Sequence, residues 1–204
     1  MTKSKSSKRG VATVPKKLKT PLLRAITFLE KSDCRYALIG ALALAQWGVV
    51  RATHDVDLKV LAPDTDYSRM RALLSAEFPK PGRKHAPANP LILAVKIAGV
   101  TVDFLFALPG YEELIIEHAI RRTLNGFSTW ICSAEDLVIQ KVVAGRDKDW
   151  PDVEALLIAQ RGKLDEAYIE DWLAQFVEAL EKPEMLAGYR RLVEKVKALE
   201  QIIE

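Results

Sequence analysis

Two aspartates interrupt the stretch RATHDVDLKV, residues 51–60, which otherwise has the composition of a β-strand. Aspartate is depleted in strands, and side chains alternate across them, so Asp55 and Asp57 point to one face about 6 to 7 Å apart. Carboxylates at that separation repel each other unless a cation lies between them, and hard oxygen ligands suit Mg²⁺ or Mn²⁺. The spacing indicates a divalent-metal site. On spacing alone, structural aspartates at a strand end are an equal alternative.

A third aspartate, Asp103, lies within a second apolar stretch, TVDFLFAL, residues 101–108. If the two strands are neighbours, three carboxylates converge on one face of a sheet. Such a set can hold two metal ions, one activating an attacking hydroxyl and one binding a leaving pyrophosphate. Asp103 would then touch only the catalytic ion and could help to deprotonate the nucleophile.

Gly40 stands between a predicted strand, RYALI, and a predicted short helix, ALALAQWG. Glycine at a strand-to-helix turn lets the backbone approach a phosphate closely, and the helix N-terminus offers free N–H donors. A glycine in such a place is more often only a turn residue. The combination of this turn with the Asp-x-Asp strand and the later aspartate is much more specific than any one part.

The segment LIGALALAQWGVVRATHDVDLKV, residues 38–60, resembles the polymerase-β-like nucleotidyltransferase superfamily. The signature of that superfamily is a strand, a Gly-Ser or Gly-Gly turn, a helix, an Asp-x-Asp strand and a later single aspartate. More narrowly, the glycine, the Ala/Leu-rich helix after it, the Arg-x-Thr and the Asp-x-Asp together resemble the AbiEii/AbiGii-type toxin branch and its uncharacterised relatives. The segment ICSAEDLVIQKVVAGRDKDWPDVEAL, residues 131–156, is similar to a later segment of that branch. The tail and the last two predicted helices lie outside the resemblance.

This resemblance implies an enzyme that transfers a nucleoside monophosphate from a nucleoside triphosphate (NTP) to a hydroxyl group, with two Mg²⁺ or Mn²⁺ ions as cofactors. It implies Asp55 and Asp57 as ligands of both ions and Asp103 as a ligand of the catalytic ion. Together with Lys141, which would reach the triphosphate, these aspartates are the implied catalytic set. The implied nucleotide contacts are Gly40, Ala41, Arg51, Lys141 and Asp152.

Among these contacts, Gly40 and the Ala41 amide would bind the β- and γ-phosphates, and Asp152 would orient the region of the catalytic lysine. Position 41 is alanine where many members have serine or glycine, so the backbone N–H remains and a hydroxyl contact is lost. Arg51 and Lys59 flank the carboxylates, and each could pair with them or with phosphate.

The acceptor stays open at this level. Members of the toxin branch are associated with RNA acceptors, including tRNA ends, and with an antitoxin, so the resemblance implies RNA and an antitoxin protein as partners. A small-molecule acceptor such as an aminoglycoside is an alternative. A nucleotide- or RNA-binding module that keeps the fold without turnover is another; the three intact aspartates count against it and Ala41 counts for it.

The order of predicted elements indicates an α+β fold, in which a small mixed β-sheet with helices is followed by a C-terminal helical region. We predict a basic tail over residues 1–19, a nucleotidyltransferase core over residues 20–160 and a helical extension over residues 161–204. Two hairpins are predicted, one around Gly99 and one at Asn125-Gly126.

Helix signals are clear at three places. Thr20 and Pro21 predict the start of the first helix. The segment YEELIIEHAIRR, residues 111–122, is helical in composition. Ser133 and Gly145 predict the two caps of a further helix. Asp149 precedes another predicted helix, and there it fits a favourable interaction with the helix dipole better than a role in a site.

Charge is uneven along the chain. Residues 1–20 hold seven basic residues and no acid, which exceeds the formal net charge of +3 and leaves the remainder mildly acidic. The tail is rich in Ser, Lys and Gly, so we expect it to be disordered. It is either an electrostatic arm for nucleic acid or only a solvated terminus.

Nothing in the sequence predicts insertion into a membrane. No apolar run follows the basic start, so no signal peptide is expected. The longest nearly apolar run, residues 36–50, is too short to span a bilayer. Cys34 and Cys132 are far apart and lack metal-ligand spacing, so we predict two reduced, buried thiols in a cytoplasmic protein.

Overall fold

The computed structural model describes residues 13–79 and 89–203, with side chains described as far as residue 199. Within these ranges the chain forms six β-strands and eight α-helices. The strands are β1 (Arg35–Ile39), β2 (Asp55–Leu61), β3 (Ile92–Ile97), β4 (Val100–Phe106), β5 (Ile120–Leu124) and β6 (Phe127–Ile131). The helices are α1 (Lys16–Lys31), α2 (Gly40–Gln46), α3 (Tyr67–Glu77), α4 (Tyr111–Glu117), α5 (Ala134–Ala144), α6 (Trp150–Ala159), α7 (Glu166–Leu180) and α8 (Glu184–Ile203).

The strands form one mixed sheet in the order β3-β4-β2-β1-β6-β5. β2 pairs in parallel with β4 and antiparallel with β1, and β1 pairs in parallel with β6. A parallel pair needs a long connection, and α3 and β3 lie in the one between β2 and β4. A small mixed sheet with helices, followed by a helical region, confirms the predicted fold class.

Both predicted hairpins are present. Asn125 and Gly126 join β5 to β6 with φ angles of 44° and 85°, and Ala98 and Gly99 join β3 to β4 with φ angles of 48° and 80°. Two successive residues with positive φ are typical of a type I′ turn, whose twist matches that of the flanking strands. The turns therefore fix the register of both edge strands.

The two faces of the sheet differ in character. One face, here called the apolar face, carries buried side chains such as Leu58 and Phe104. Phe78, directly after α3, stacks on Phe104 and meets Phe28 of α1 edge-on, so α1 and α3 cover this face. The opposite face carries Asp57 and is called the aspartate face below.

The first helix begins earlier than predicted. α1 begins at Lys16 rather than at Thr20, and Pro21 lies inside it. Val14 and Leu18 are buried, so the apolar stripe of the helix continues in front of the proline. Packing on the sheet therefore outweighs the capping signal of the sequence.

Hydrogen bonds to the β5–β6 hairpin hold the segment before α1 in place. Asn125 Nδ2 donates to Val14 O at 2.9 Å, and Val14 N donates to Asn125 Oδ1 at 3.2 Å. Lys19 Nζ donates to Asn125 O at 2.9 Å. Residues 13–19 of the predicted tail therefore belong to the folded body, and the rest of the predicted tail, residues 1–12, lies outside the described residues.

Residues 111–122 are helical only in part. α4 ends at Glu117, and Ile120 begins β5. Arg121 pairs with Trp130 across the Asn-Gly turn, so strand pairing outweighs the helical composition of this segment. Intrinsic propensity is a weak guide where tertiary pairing is available.

α5 has both predicted caps, and its first turn links three helices. Ser133 Oγ accepts a hydrogen bond from Asp136 N, and Gly145 adopts a φ of 60° at the other end. The carboxylate of Asp136 is fully buried and accepts hydrogen bonds from Tyr111 at 3.1 Å and Tyr168 at 3.0 Å. It therefore ties α4 and α7 to α5. A domain boundary near residue 160 stays a prediction.

Two further expectations concern the thiols and membrane insertion. Cys34 and Cys132 are both free and buried, as predicted. Burial raises the pKa of Cys34 to about 11, so its thiol stays protonated near neutral pH. In the described ranges, no helix combines the length and hydropathy of a membrane span.

Candidate active site

The strand register brings the three aspartates together. Asp57 of β2 lies directly opposite Asp103 of β4, and Asp55 lies two residues earlier on β2. Residues two apart on a strand share a face, so all three carboxylates occupy one patch of the aspartate face. The expectation that these two strands are neighbours is confirmed.

The Arg-x-Thr motif before β2 contacts the patch at one end and α6 at the other. Thr53 Oγ1 donates to Asp55 Oδ1 at 2.6 Å, which orients the exposed carboxylate at the strand start. Arg51 Nε lies 3.2 Å from Asp152 Oδ2, near the start of α6. The motif thus connects the aspartates of the sheet with the helices that follow it.

Gly40 is required where it stands, for two reasons. Its φ is +65°, a conformation that other residues rarely adopt. In addition, a Cβ at this position would overlap Asp57 Oδ2 and lie 2.9 Å from Asp57 Cγ. The antiparallel register explains the approach, because Ile39 pairs with Asp57 and Gly40 follows it.

Gly40→Ala should therefore displace the Asp57 carboxylate. We expect the nucleotidyl transfer that the resemblance implies to fall by about 10²-fold, since misplacing a catalytic group by about 1 Å has effects of that size. Stability should fall by only about 1 kcal/mol, the cost of the left-handed backbone. Steady-state kinetics and thermal melting separate the two effects. Gly99→Ala, at a turn with open space around it, is the matched control.

The carboxylate of Asp57 has an unusual proton affinity. Burial and the negative charges of Asp55 and Asp103 raise its pKa to about 6, against the opposing effect of the positive charges of Arg51 and Lys141. Hard oxygen donors that repel one another fit a divalent cation in their chemistry. In the described part of the chain, no three His, Cys, Asp or Glu side chains are gathered closely enough to hold an ion as they stand. Binding would require the carboxylates to turn toward one another.

A charge cluster with a buried centre and two more exposed arginines adjoins the aspartates. Lys141 of α5 donates to Asp152 Oδ2 at 2.6 Å and to Asp149 Oδ1 at 3.2 Å. Arg146 donates from Nε to Asp149 Oδ2 at 2.5 Å, and Arg51 binds Asp152. These five residues are called the charge cluster below. Each of its two carboxylates is shared between Lys141 and an arginine.

Electrostatics link the charge cluster to the aspartates. The charges of Arg51 and Lys141 lower the pKa of Asp57, and the charge of Asp57 contributes to a raised pKa of Arg146. Burial opposes ionisation of Asp149, yet hydrogen bonds from Arg146 and Lys141 hold the pKa of that carboxyl below its usual value. The three cations of the charge cluster therefore interact electrostatically with Asp57.

A family model described as nucleotidyltransferase of unknown function (DUF6036) matches residues 22–197. The chain belongs to this family. The match includes the sheet and the charge cluster. It also includes most of the C-terminal helices, which lie outside the resemblance to the superfamily. The AbiEii/AbiGii branch receives no separate support from this match. No protein of curated function matches the chain.

Solved nucleotidyltransferase-like structures share the fold of this DUF6036 member. An antigenic nucleotidyltransferase-like protein from Paracoccidioides brasiliensis is 20% identical with a TM-score of 0.53, covering 87% of this chain and 94% of its own. ANT(2'')-Ia in complex with adenylyl-2''-tobramycin is 14% identical with a TM-score of 0.52, covering 79% of this chain and 98% of its own. At these identities the likeness concerns the fold alone.

Sequence reasoning missed three residues beside the DUF6036 aspartates, namely Thr53, Arg146 and Asp149. Asp149 is 1% exposed and binds two cations, so it is not a simple helix-dipole residue. The available signal was the Arg-x-Lys-Asp-x-x-Asp spacing, which puts a cation and two acids on successive turns. Lys59, in contrast, is buried and binds Glu112 Oε1 at 2.5 Å, so it stabilises the contact with α4.

Proposed function

We propose that the protein is a metal-dependent nucleotidyltransferase that moves a nucleoside monophosphate from an NTP to a hydroxyl acceptor. Membership of the family supports the reaction class. One observation supports an intact site: Asp103 lies opposite Asp57 in parallel register, with Asp55 on the same face. These carboxylates would hold Mg²⁺ or Mn²⁺, which when bound neutralises phosphate charge and lowers the pKa of an attacking hydroxyl.

Residues on the two sides of the aspartate face would have different roles in the transfer. On the β1 side, Gly40 and the Ala41 amide are the proposed phosphate contacts. Lys141 and Arg51 would balance the charge of the triphosphate from the adjoining charge cluster, in which Asp152 holds both. On the β4 side, the carboxylate of Asp103 would accept the proton of the acceptor hydroxyl. Positioning and charge neutralisation would then supply most of the rate enhancement.

Within the superfamily we propose the AbiEii/AbiGii-type toxin branch, with a cytoplasmic location, an RNA or tRNA acceptor and a cognate antitoxin. The Arg-x-Thr motif supports this branch, because both of its ends contact the candidate site. Arg51 binds Asp152, and Thr53 binds Asp55.

An aminoglycoside acceptor is the alternative within the same chemistry. The likeness in fold to ANT(2'')-Ia, which was solved with adenylyl-2''-tobramycin, favours it. The non-enzymatic alternative is a module that binds nucleotide or RNA without turnover. Ala41 favours this alternative, because it has no hydroxyl group to bind the phosphates.

Asp55→Ala tests the proposal with two readouts. The wild-type protein should bind Mn²⁺ by calorimetry and transfer label from a radiolabelled NTP to total RNA or to tobramycin. The variant should lose Mn²⁺ binding and at least about 10²-fold of the transfer, because one of the ligands is gone. Asp171→Ala, an exposed carboxylate on α7, is the matched control. Unchanged Mn²⁺ binding in Asp55→Ala would make the Asp-x-Asp motif structural.

A further inference from the structure

The aspartate face has two distinct sides. The register places Ile39, Asp57, Asp103 and Ala94 in one row across β1, β2, β4 and β3. Gly40 follows Ile39, so the proposed phosphate turn lies on the β1 side. Attacking and leaving oxygens are roughly in line in such transfers. If the nucleotide binds on the β1 side, the acceptor must therefore bind on the β4–β3 side.

Among the residues that the structure describes, the β4–β3 side is open enough to receive a substrate. α2 and α4 pack on β1 and β2. The side chains of Ala94, Thr101, Asp103 and Leu105 are only half-buried, in contrast to the buried residues that alternate with them. This surface continues from the three carboxylates to the edge of the sheet at β3.

Lys96 lies on this open side. It is in register with Thr101, which is in register with Asp55. Lys96 Nζ donates to Thr101 Oγ1 at 3.0 Å, so the ammonium group is held over β4 on the side of the carboxylates. Apart from Asp103, Lys96 is the only charged residue in the sequences of β3 and β4.

We propose that Lys96 binds a phosphate of an anionic acceptor, a single-stranded RNA, and so selects RNA over a polycationic acceptor; this inference rests on the proposed function. A lysine ammonium is a compact charge that binds phosphate and repels the amino groups of an aminoglycoside. The phosphate next to the terminal ribose would lie at Lys96, and the terminal hydroxyl would lie at the three carboxylates.

The transfer that this arrangement serves is balanced. The oxygen of the RNA hydroxyl forms a bond to the α-phosphorus of the NTP. The bond from that phosphorus to the bridging oxygen of the β-phosphate breaks, and pyrophosphate leaves. The hydroxyl proton passes to the carboxylate of Asp103. In this scheme Lys96 contacts the acceptor and takes no part in the proton transfer.

Equilibrium binding of a fluorescein-labelled single-stranded RNA of 12 nucleotides tests the proposal, with Mn²⁺ and a non-hydrolysable nucleotide present. Lys96→Met should weaken binding by about tenfold or more, the usual effect of losing a charged hydrogen bond. It should also reduce the slope of log K against log salt by about 0.7, which corresponds to one phosphate contact. Lys96→Arg should stay within about threefold of the wild-type protein because it keeps the charge.

Two further variants distinguish a binding role from a structural one. Thr101→Val removes the partner that holds the ammonium group, and we expect an intermediate loss of RNA affinity. Lys182→Met removes an exposed charge between α7 and α8 and should change neither affinity nor slope. Equal affinity and slope in Lys96→Met and wild-type protein would overturn the proposal. Binding and labelling of tobramycin in preference to RNA would also overturn it.

A separate measurement distinguishes failure of this inference from failure of the proposed function. Calorimetry of the wild-type protein with Mn²⁺ and nucleotide reports on the nucleotide site alone. If the wild-type protein binds nucleotide and Lys96→Met keeps wild-type RNA affinity, only the assignment of the acceptor site is wrong. Absence of any metal-dependent nucleotide binding would sink the proposed function, and the acceptor assignment with it.

Discussion

Asp57→Asn is expected to abolish most nucleotidyl transfer and, at the same time, to stabilise the metal-free protein near neutral pH. The first effect follows from losing a proposed metal ligand, which would be worth several kcal/mol of transition-state stabilisation, or about 10³-fold in rate. The second follows from the position of Asp57, which is partly buried beside Gly40 and next to two other carboxylates. An uncharged amide of the same shape removes that repulsion.

The pH dependence of this stabilisation has a defined sign. Burial and the neighbouring acids raise the pKa of Asp57 from 3.8 to about 6 in the folded protein. Between these values the folded state binds more protons than the unfolded state, so the stability of the wild-type protein falls as pH rises through that window. Asp57→Asn lacks this loss. The variant should therefore have a larger free energy of unfolding than the wild-type protein, by on the order of 1 to 3 kcal/mol above about pH 6. Below about pH 4 the two proteins should be equally stable in this respect.

Thermal melting in the presence of a chelator measures the effect directly. A gain of this size corresponds to a melting temperature roughly 2 to 12 °C higher at pH 7.5, and to no gain at pH 4. Added Mn²⁺ should raise the melting temperature of the wild-type protein and leave that of Asp57→Asn nearly unchanged. Asp171→Asn, an exposed site on α7, controls for loss of a carboxylate. A variant that melts below the wild-type protein at pH 7.5 would contradict the argument.

The convergence of the aspartates was predictable because it rests on local rules. The period of a strand puts Asp55 and Asp57 on one face, and an apolar strand around Asp103 is most simply placed in the same sheet. Gly40 was predictable as a turn residue. Its close approach to Asp57 was not, because that contact depends on the register between β1 and β2.

Features that depend on competition between elements were less predictable. Arg121 lies in a segment of helical composition, yet it forms β5 because the Asn-Gly turn offers a hairpin partner. Asp149 lies before a helix, where the dipole explains an acid well. Its actual role depends on Lys141 and Arg146, which the fold of α5 and α6 brings to it. The sequence contains these partners but not the distances between them.

Lys141→Met is expected to cost both stability and activity. The lysine is 7% exposed and is shared by the buried carboxylates of Asp149 and Asp152. Without the ammonium group, each carboxylate keeps only a partly exposed arginine, and the two carboxylates repel each other. Breaking a buried ion pair from one side typically costs about 3 kcal/mol or more, equivalent to a melting temperature lower by roughly 6 to 12 °C. We expect nucleotidyl transfer to fall by about 10²-fold in addition.

A double variant separates the structural part of this loss from the functional part. Lys141→Met combined with Asp152→Asn removes one of the two carboxylate charges that have lost the lysine, so it should recover at least about 1 kcal/mol relative to Lys141→Met alone. Activity should stay low, because the cation that we propose for binding the triphosphate is still missing. Lys148→Met changes an exposed lysine between α5 and α6 and should match the wild-type protein in both measurements. Melting curves fix a temperature at which all variants are folded, and rates are compared there. Recovery of activity in parallel with stability would assign Lys141 a structural role only, and the charge cluster would then serve the fold rather than the nucleotide.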